Sequence, residues 1–171
     1  MRQKRAIGWL FVAGVLGYAS VTPKALAESP HYLGVQACRE CHIDPFRAWE
    51  KSGHARAMDR LPRDRKKDGR CLGCHATGYG EPASGGNVFE NVQCEACHGP
   101  GSLYKSPRIM SKGKYRENLE AQRRLAQEAG LTPITEEVCL RCHGKERPEA
   151  HVSGKPFDYR DALTKVRHLA P

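Results

Sequence analysis

Eight cysteines stand in this chain of 171 residues, all in four pairs of one spacing, and a histidine follows every pair directly. The pairs are Cys38/Cys41 in "CRECH", Cys71/Cys74 in "CLGCH", Cys94/Cys97 in "CEACH" and Cys139/Cys142 in "CLRCH". Cys-x-x-Cys-His is the attachment pattern of c-type haem. Two thiols at that spacing add across the vinyl groups of one porphyrin edge, and the next residue, an imidazole, sits beneath the iron. The proximal ligands expected are therefore His42, His75, His98 and His143. Zinc accepts Cys-x-x-Cys pairs but has no need of a histidine immediately after each one. A thioredoxin-like dithiol needs a single motif in a βαβ setting, and disulfide frameworks do not repeat the cassette.

The cofactor also accounts for the composition. Beyond its first residues the chain is poor in aromatic and large aliphatic residues and rich in Gly and Pro. Such a chain buries too little apolar surface of its own to offset the entropy of ordering it. Four covalently bound haems would supply the missing core, about one per 36 residues of the 144 that follow residue 27. The expected fold class is mainly α: a small, loop-rich multihaem cytochrome with short helices packed around its haems.

The N-terminus reads as an export signal: basic "MRQKR", an apolar run, then "ALA" before Glu28. The run from Ala6 to Val21 is 16 residues, short of the roughly 18 expected of a membrane span. Residues 1–27 are thus expected to be a cleaved leader, residues 28–171 a single haem domain, and the location periplasmic. The net charge is +9, of which Arg2, Lys4, Arg5 and Lys24 in the leader carry +4. Export argues against nucleic acid as the partner of the remaining +5.

The motifs begin at 38, 71, 94 and 139, gaps of 33, 23 and 45, so they do not form a solenoid repeat. A helix is expected after "CRECHI", with Asp44 as N-cap and Pro45 in its first turn. It would run through "FRAWEKSGHARAMDRL" with Phe46, Trp49, Gly53, Ala57 and Leu61 on one arc, unless Gly53 breaks it. A second is expected over "KYRENLEAQRRLAQEAG", closed by Gly130. A third would begin at Thr132-Pro133 and carry "CLRCH", and a last one starts at Asp158. "PRDRKKDGR", from Pro62 to Arg70, reads as a solvated loop with docking of an acidic partner as its alternative. "GEPASGG" reads as loop, and nothing alternates long enough for a substantial sheet.

Once the proximal residues are counted, His31, His54, His151 and His168 remain for the second face of each iron. A second His or Met makes the iron six-coordinate and suits it to electron transfer, whereas an open face admits a small molecule. His31, near the leader, and His151, in a Gly/Pro-rich loop, also fit the ordinary reading of surface histidines.

The ordered set "CRECHIDPFRAWEKSGHARAM", "CLGCHATGYG", "CEACHGPG" and "CLRCH" with a final histidine resembles the tetrahaem cytochrome c-554 family. That resemblance implies His54, in "GHARAM", as distal ligand to the third haem and His168, in "KVRH", as distal ligand to the fourth. It leaves the second haem without a distal protein ligand. The family's ligand to the first haem is a histidine shortly after "CHGPG", and this chain has none there. Met110 is the only haem-ligand type in that region, either as an axial sulfur that raises the potential or as packing against a porphyrin.

The leading functional expectation is an electron carrier between redox protein partners, a donor and an acceptor. A membrane-associated quinol or respiratory complex is among the partners left open. The alternatives are an enzyme or gas binder acting on small nitrogen oxides at an open haem, and a subunit of a multihaem filament or complex.

Overall fold

The structure, a computed structural model, describes residues 28–144 and 156–168; the expected leader and His151 lie outside them. The chain folds into short helices joined by turns, and the motifs lie at helix ends. α1 (Val35–Arg39) leads into the first motif, and α2 (Ile43–Glu50) follows it. α3 (Gly69–His75) ends on the second motif, α4 (Cys94–His98) is the third itself, and α7 (Glu136–His143) ends on the fourth. A two-stranded antiparallel ribbon, β1 (Ala76–Thr77) with β2 (Phe89–Glu90), is the only sheet among the described residues. No helix among them is long and apolar enough to cross a membrane.

Several elements depart from the sequence expectation at identifiable residues. The helix after "CRECHI" stops at Glu50, and the chain continues in 3-10 turns at His54–Arg56 and Met58–Arg60. Gly53 falls at this break, the outcome its low helix propensity favours. Asp44 lies in the first turn, and the N-cap position is His42. The second expected helix is broken in two: α5 (Lys112–Glu117) and α6 (Leu119–Glu128) meet at Asn118, whose side chain accepts from Ala121 N and caps α6. Gly130 closes α6 as expected, at φ +100. The Leu131 and Gly130 amides bond back to the Ala126 and Gln127 carbonyls, both at 2.9 Å, in the paired pattern that ends helices on a left-handed glycine. α7 starts one turn later than Thr132-Pro133, with Thr135 at its N-cap position. α8 (Tyr159–Val166) is capped by Asp158 as expected.

What holds these pieces together is mostly polar. Residues 91–95 form a hub in which successive positions bond to different parts of the chain. Asn91, in the left-handed region at φ 71, accepts from Met58 N through its side chain and from Thr77 Oγ1 through its carbonyl. Val92 receives Trp49 Nε1 at 2.7 Å, and its amide donates to the His54 carbonyl. Gln93 accepts from Val35 N. Glu95, 1 % exposed, accepts from the amides of Leu33, Gly34 and Gly101 at 2.7 to 3.0 Å. At Gly34 the glycine is obligatory: φ is +81 and a Cβ would lie 2.8 Å from the Phe89 ring.

The side-chain core is correspondingly slight. Val35, Phe46, Ala57, Met58, Leu61, Ala76, Tyr104 and Ala126 are the buried hydrophobics among the described residues. Meanwhile Ile43 directly after the first motif is 52 % exposed, and Leu140 inside the fourth is 40 % exposed. On α6, Gln122 is buried and donates to the carbonyls of Arg108 and Ile109.

Because Glu95 satisfies backbone donors from two segments, Glu95→Ala is expected to cost the haem-loaded protein about 3 kcal/mol or more. Gln122→Ala, at a neutral bond, should cost about 1 kcal/mol. Guanidinium titration followed by circular dichroism checks both.

Candidate metal centres

Each motif is wound as about one helical turn, which follows from its spacing. Residues three and four apart share a helix face, so both thiols and the imidazole of a Cys-x-x-Cys-His unit point to one side. In the first motif the amides of Cys41 and His42 both bond to the Cys38 carbonyl, at 3.2 and 2.9 Å. α3 owes its start to Asp68, which accepts from Arg70 N. Arg70 and Arg65 lie against the Asp68 carboxylate and hold its pKa well below the usual carboxylate range.

The motifs are neighbours in an order that differs from their order in the chain. α1 packs on α4 and α3 packs on α7. Arg141 of the fourth motif donates to the Ala96 carbonyl of the third at 2.7 Å, and Cys142 Sγ lies 4.0 Å from the Gly73 carbonyl of the second. Their thiols meet accordingly. Cys38 and Cys94 share a hydrogen bond that, together with burial, raises the Cys38 pKa, and the same bond lowers that of Cys94. Burial and the adjacent Cys74 push Cys142 up to about 12. Burial, then the nearby Cys139, raises Cys97. The spatial sequence is first, third, fourth, second.

Two histidines distant in sequence face proximal ones. The His54 ring lies 6.1 Å from that of His143, centre to centre, and the His168 ring lies 5.9 Å from that of His98. Metal–imidazole bonds run roughly 2 Å and the ring centre lies about 1.1 Å behind the bonding nitrogen, so two axial imidazoles across one iron have centres about 6 Å apart. Both pairs match that separation. They form the other way round from the pairing implied by the resemblance: His54 goes with the fourth motif and His168 with the third. At each end a break in the helix lets the histidine reach a distant part of the chain. The break at Gly53 lets the His54 turn bond to Val92, and α8 ends at Val166 with Arg167 extended, which frees His168 from the helix direction.

Burial favours the neutral, metal-binding form of His98, His54 and His42. Burial, then the proximity of His168 and His42, pushes the His98 pKa down to about 4. Burial lowers His54, and burial followed by His168 and Lys112 lowers His42. His75 Nδ1 lies 2.6 Å from the Ala57 carbonyl. A carbonyl only accepts, so Nδ1 carries the proton and Nε2 is left as the metal-binding nitrogen. Phe157 stacks on His143 with centres 4.9 Å apart.

The remaining candidates are placed differently. Met110 is half-buried, with the Tyr115 hydroxyl 3.9 Å from its sulfur. The segment leading to it passes the first motif, where Lys105 pairs with Glu40 at 3.1 Å. Exposed His31 has its ring nitrogen 3.5 Å from the Ser29 carbonyl. Sequence reasoning placed Ala57 only on a packing arc and did not single out Phe157 or Lys112; an alanine carbonyl leaves no signal of its role in a sequence.

The donor set fits c-type haem. The thiols come in pairs beside one imidazole, two motifs have a second imidazole at axial distance, and apolar side chains next to the motifs are uncovered. Among the described residues no three His, Cys, Asp or Glu converge as a cage for a bare metal ion.

Comparison with known proteins agrees with this donor set. A family model described as cytochrome c554 and c-prime matches residues 37–99. Cytochrome c-554 of Nitrosomonas europaea is 27% identical over 144 residues, 70% of this chain and 60% of that relative's length. The solved structure of reduced cytochrome c554 from Nitrosomonas europaea has the same fold at a TM-score of 0.57, with 24% identity, covering 83% of this chain and 80% of that one.

Replacing His54 or His168 with Ala is expected to convert one low-spin haem signal each to high-spin in electron paramagnetic resonance, with the haem content unchanged. Phe157→Ala should perturb the signal lost in His54→Ala and spare the one lost in His168→Ala. The opposite correspondence would restore the pairing first expected.

Proposed function

We infer that this chain, a member of the cytochrome c-554 family, is a periplasmic electron carrier with one c-type haem on each of its four motifs. The thiol pairs Cys38/Cys41, Cys71/Cys74, Cys94/Cys97 and Cys139/Cys142 hold the porphyrin edges. His42, His75, His98 and His143 are the proximal ligands, with His168 opposite His98 and His54 opposite His143. When bound, c-type haem supplies a one-electron iron couple.

The observation that carries this reading is the pair of histidine couples at 6.1 and 5.9 Å. Two imidazoles fixed on either side of one metal leave no position for a substrate and little to rearrange when the charge changes, which suits transfer and opposes chemistry at the metal. The chain's own groups do the positioning. The Ala57 carbonyl orients His75, Phe157 orients His143, and Arg141 joins the third and fourth motifs. The packing of α1 on α4, the Arg141–Ala96 hydrogen bond and the packing of α3 on α7 support a single continuous path, with the first and second motifs at its two ends.

Export to the periplasm rests on the leader-like start of the sequence. Donor and acceptor are proposed to be redox proteins, because the described surface offers exposed charged side chains around the motifs and no constellation of acid, base and nucleophile beside them.

The protein purified from a host that attaches c-type haem is expected to weigh as the chain from Glu28 plus four haems. It should also take up four electrons in a potentiometric titration, with at least two low-spin centres in the oxidised form. A colourless product, or a mass short of four haems, would reject the proposal. Each tenfold preference along the path requires about 59 mV between neighbouring one-electron centres, so the titration also gives the direction of flow.

A further inference from the structure

Two stretches of this chain are strongly basic: residues 105–116 carry Lys105, Arg108, Lys112, Lys114 and Arg116 with no acid, and the second stretch leads into the second motif. Residues 56–70 hold Arg56, Arg60, Arg63, Arg65, Lys66, Lys67 and Arg70 against Asp59, Asp64 and Asp68, a net +4. Of the two, this segment is the one that joins the second motif, while in the other Lys105 pairs with Glu40 beside the first. Met58 and Leu61 are buried and pin the segment, while Arg56, Arg60, Arg63 and Lys67 are exposed. Asp64 and Asp68 are taken up by Arg65 and Arg70 within the segment. Among the described residues, Arg56, Arg60, Arg63, Lys66 and Lys67 have no carboxylate within ion-pair distance.

The segment runs straight into α3, with Arg70 next to Cys71 of the second motif. That motif stands at one end of the spatial order. We propose that the basic surface formed by Arg56, Arg60, Arg63, Lys66 and Lys67 is the docking site for a redox protein with an acidic face, which exchanges electrons at the second motif. The proposal rests on the electron-carrier reading above.

The composition of the segment selects this occupant over two others. It has no aromatic, Asn, Gln, Ser or Thr side chain with which to stack on or read bases. Its apolar residues Met58 and Leu61 are turned into the protein, so it offers no apolar wedge to a lipid surface. What remains is long cationic side chains around a redox terminus. Such a surface steers an oppositely charged partner into a fast, short-lived encounter and loses that advantage in salt.

The test uses the haem-loaded protein and stopped-flow reduction by a reduced plant-type ferredoxin, an acidic, low-potential one-electron donor. One electron leaves its iron–sulfur cluster and one ferric haem becomes ferrous, with no bond made or broken. At about 20 mM salt the R60E/R63E/K67E variant is expected to lose about tenfold or more in second-order rate, and the fall in wild-type rate towards about 200 mM salt should largely disappear. K114E/R116E/R123E makes the same change in net charge on α5 and α6 and should lose less than about twofold. R60Q/R63Q/K67Q, a gentler change, should fall between wild type and the glutamate variant, and it serves if the reversal impairs folding. Equal losses in the two reversed variants would mean that only net charge matters, and would overturn the site. So would an unchanged rate in both substituted forms of the segment, or salt-sensitive binding to phosphatidylglycerol vesicles without any effect on the ferredoxin rate. Reduced methyl viologen, a small cation, should reduce all forms, and its failure with wild type would instead reject the carrier reading.

Discussion

A carboxylate with no ion-pair partner among the described residues sits at the centre of this fold. Glu95 is nearly inaccessible and is satisfied by the backbone amides of Leu33, Gly34 and Gly101. It lies between the two cysteines of the third motif, so the residue that organises the N-terminal segment is part of a cofactor site. In a protein with few buried aliphatic side chains, polar anchoring of this kind takes over the task of fixing one chain path, because hydrogen bonds are directional and apolar contact is not. The neighbouring residues extend the pattern: Asn91, Val92 and Gln93 each tie a different loop to the same short stretch. The result is a polar framework that brings the motifs against one another.

How much of this could be read in advance depended on the range over which each signal acts. The four motifs were legible because their chemistry is complete within five residues. The caps at Asp158 and the stop at Gly130 were legible for the same reason. The break after Glu50 was half legible: Gly53 marked it, but nothing nearby said which way the chain would leave. The partners of His54 and His168 were not legible. Each choice is made by contacts spanning tens of residues, such as the bond between the Val92 amide and the His54 carbonyl. The likeness to known cytochromes implied His54 and His168 as ligands, and the rings they lie nearest are the reverse of the pairing it implied.

The interleaving of the motifs has an energetic logic. Motifs adjacent in sequence, the first and second, end up at opposite ends of the spatial order, while the third and fourth form the middle. A path built in chain order would bring helices together locally and leave the two halves of the molecule with little in common. Placing the third motif against the first and the fourth against the second makes each end depend on a partner from the other half. Arg141, whose guanidinium reaches the Ala96 carbonyl, closes the middle. This raises the sequence separation of the contacts that matter, which slows assembly, but it leaves no motif supported by only one stretch of chain.

The turn from His54 to Met58 puts a ring against His143 and a carbonyl against His75 within four residues. Two centres thus share one small piece of backbone, and neither can be adjusted there alone. A side chain exchanged at Ala55 or Arg56 that rotates this turn shifts both at once, so inheritance must treat the stretch as a single character. Relatives that differ in the behaviour of one of these centres should therefore carry their distinguishing changes elsewhere, on α3 or α7.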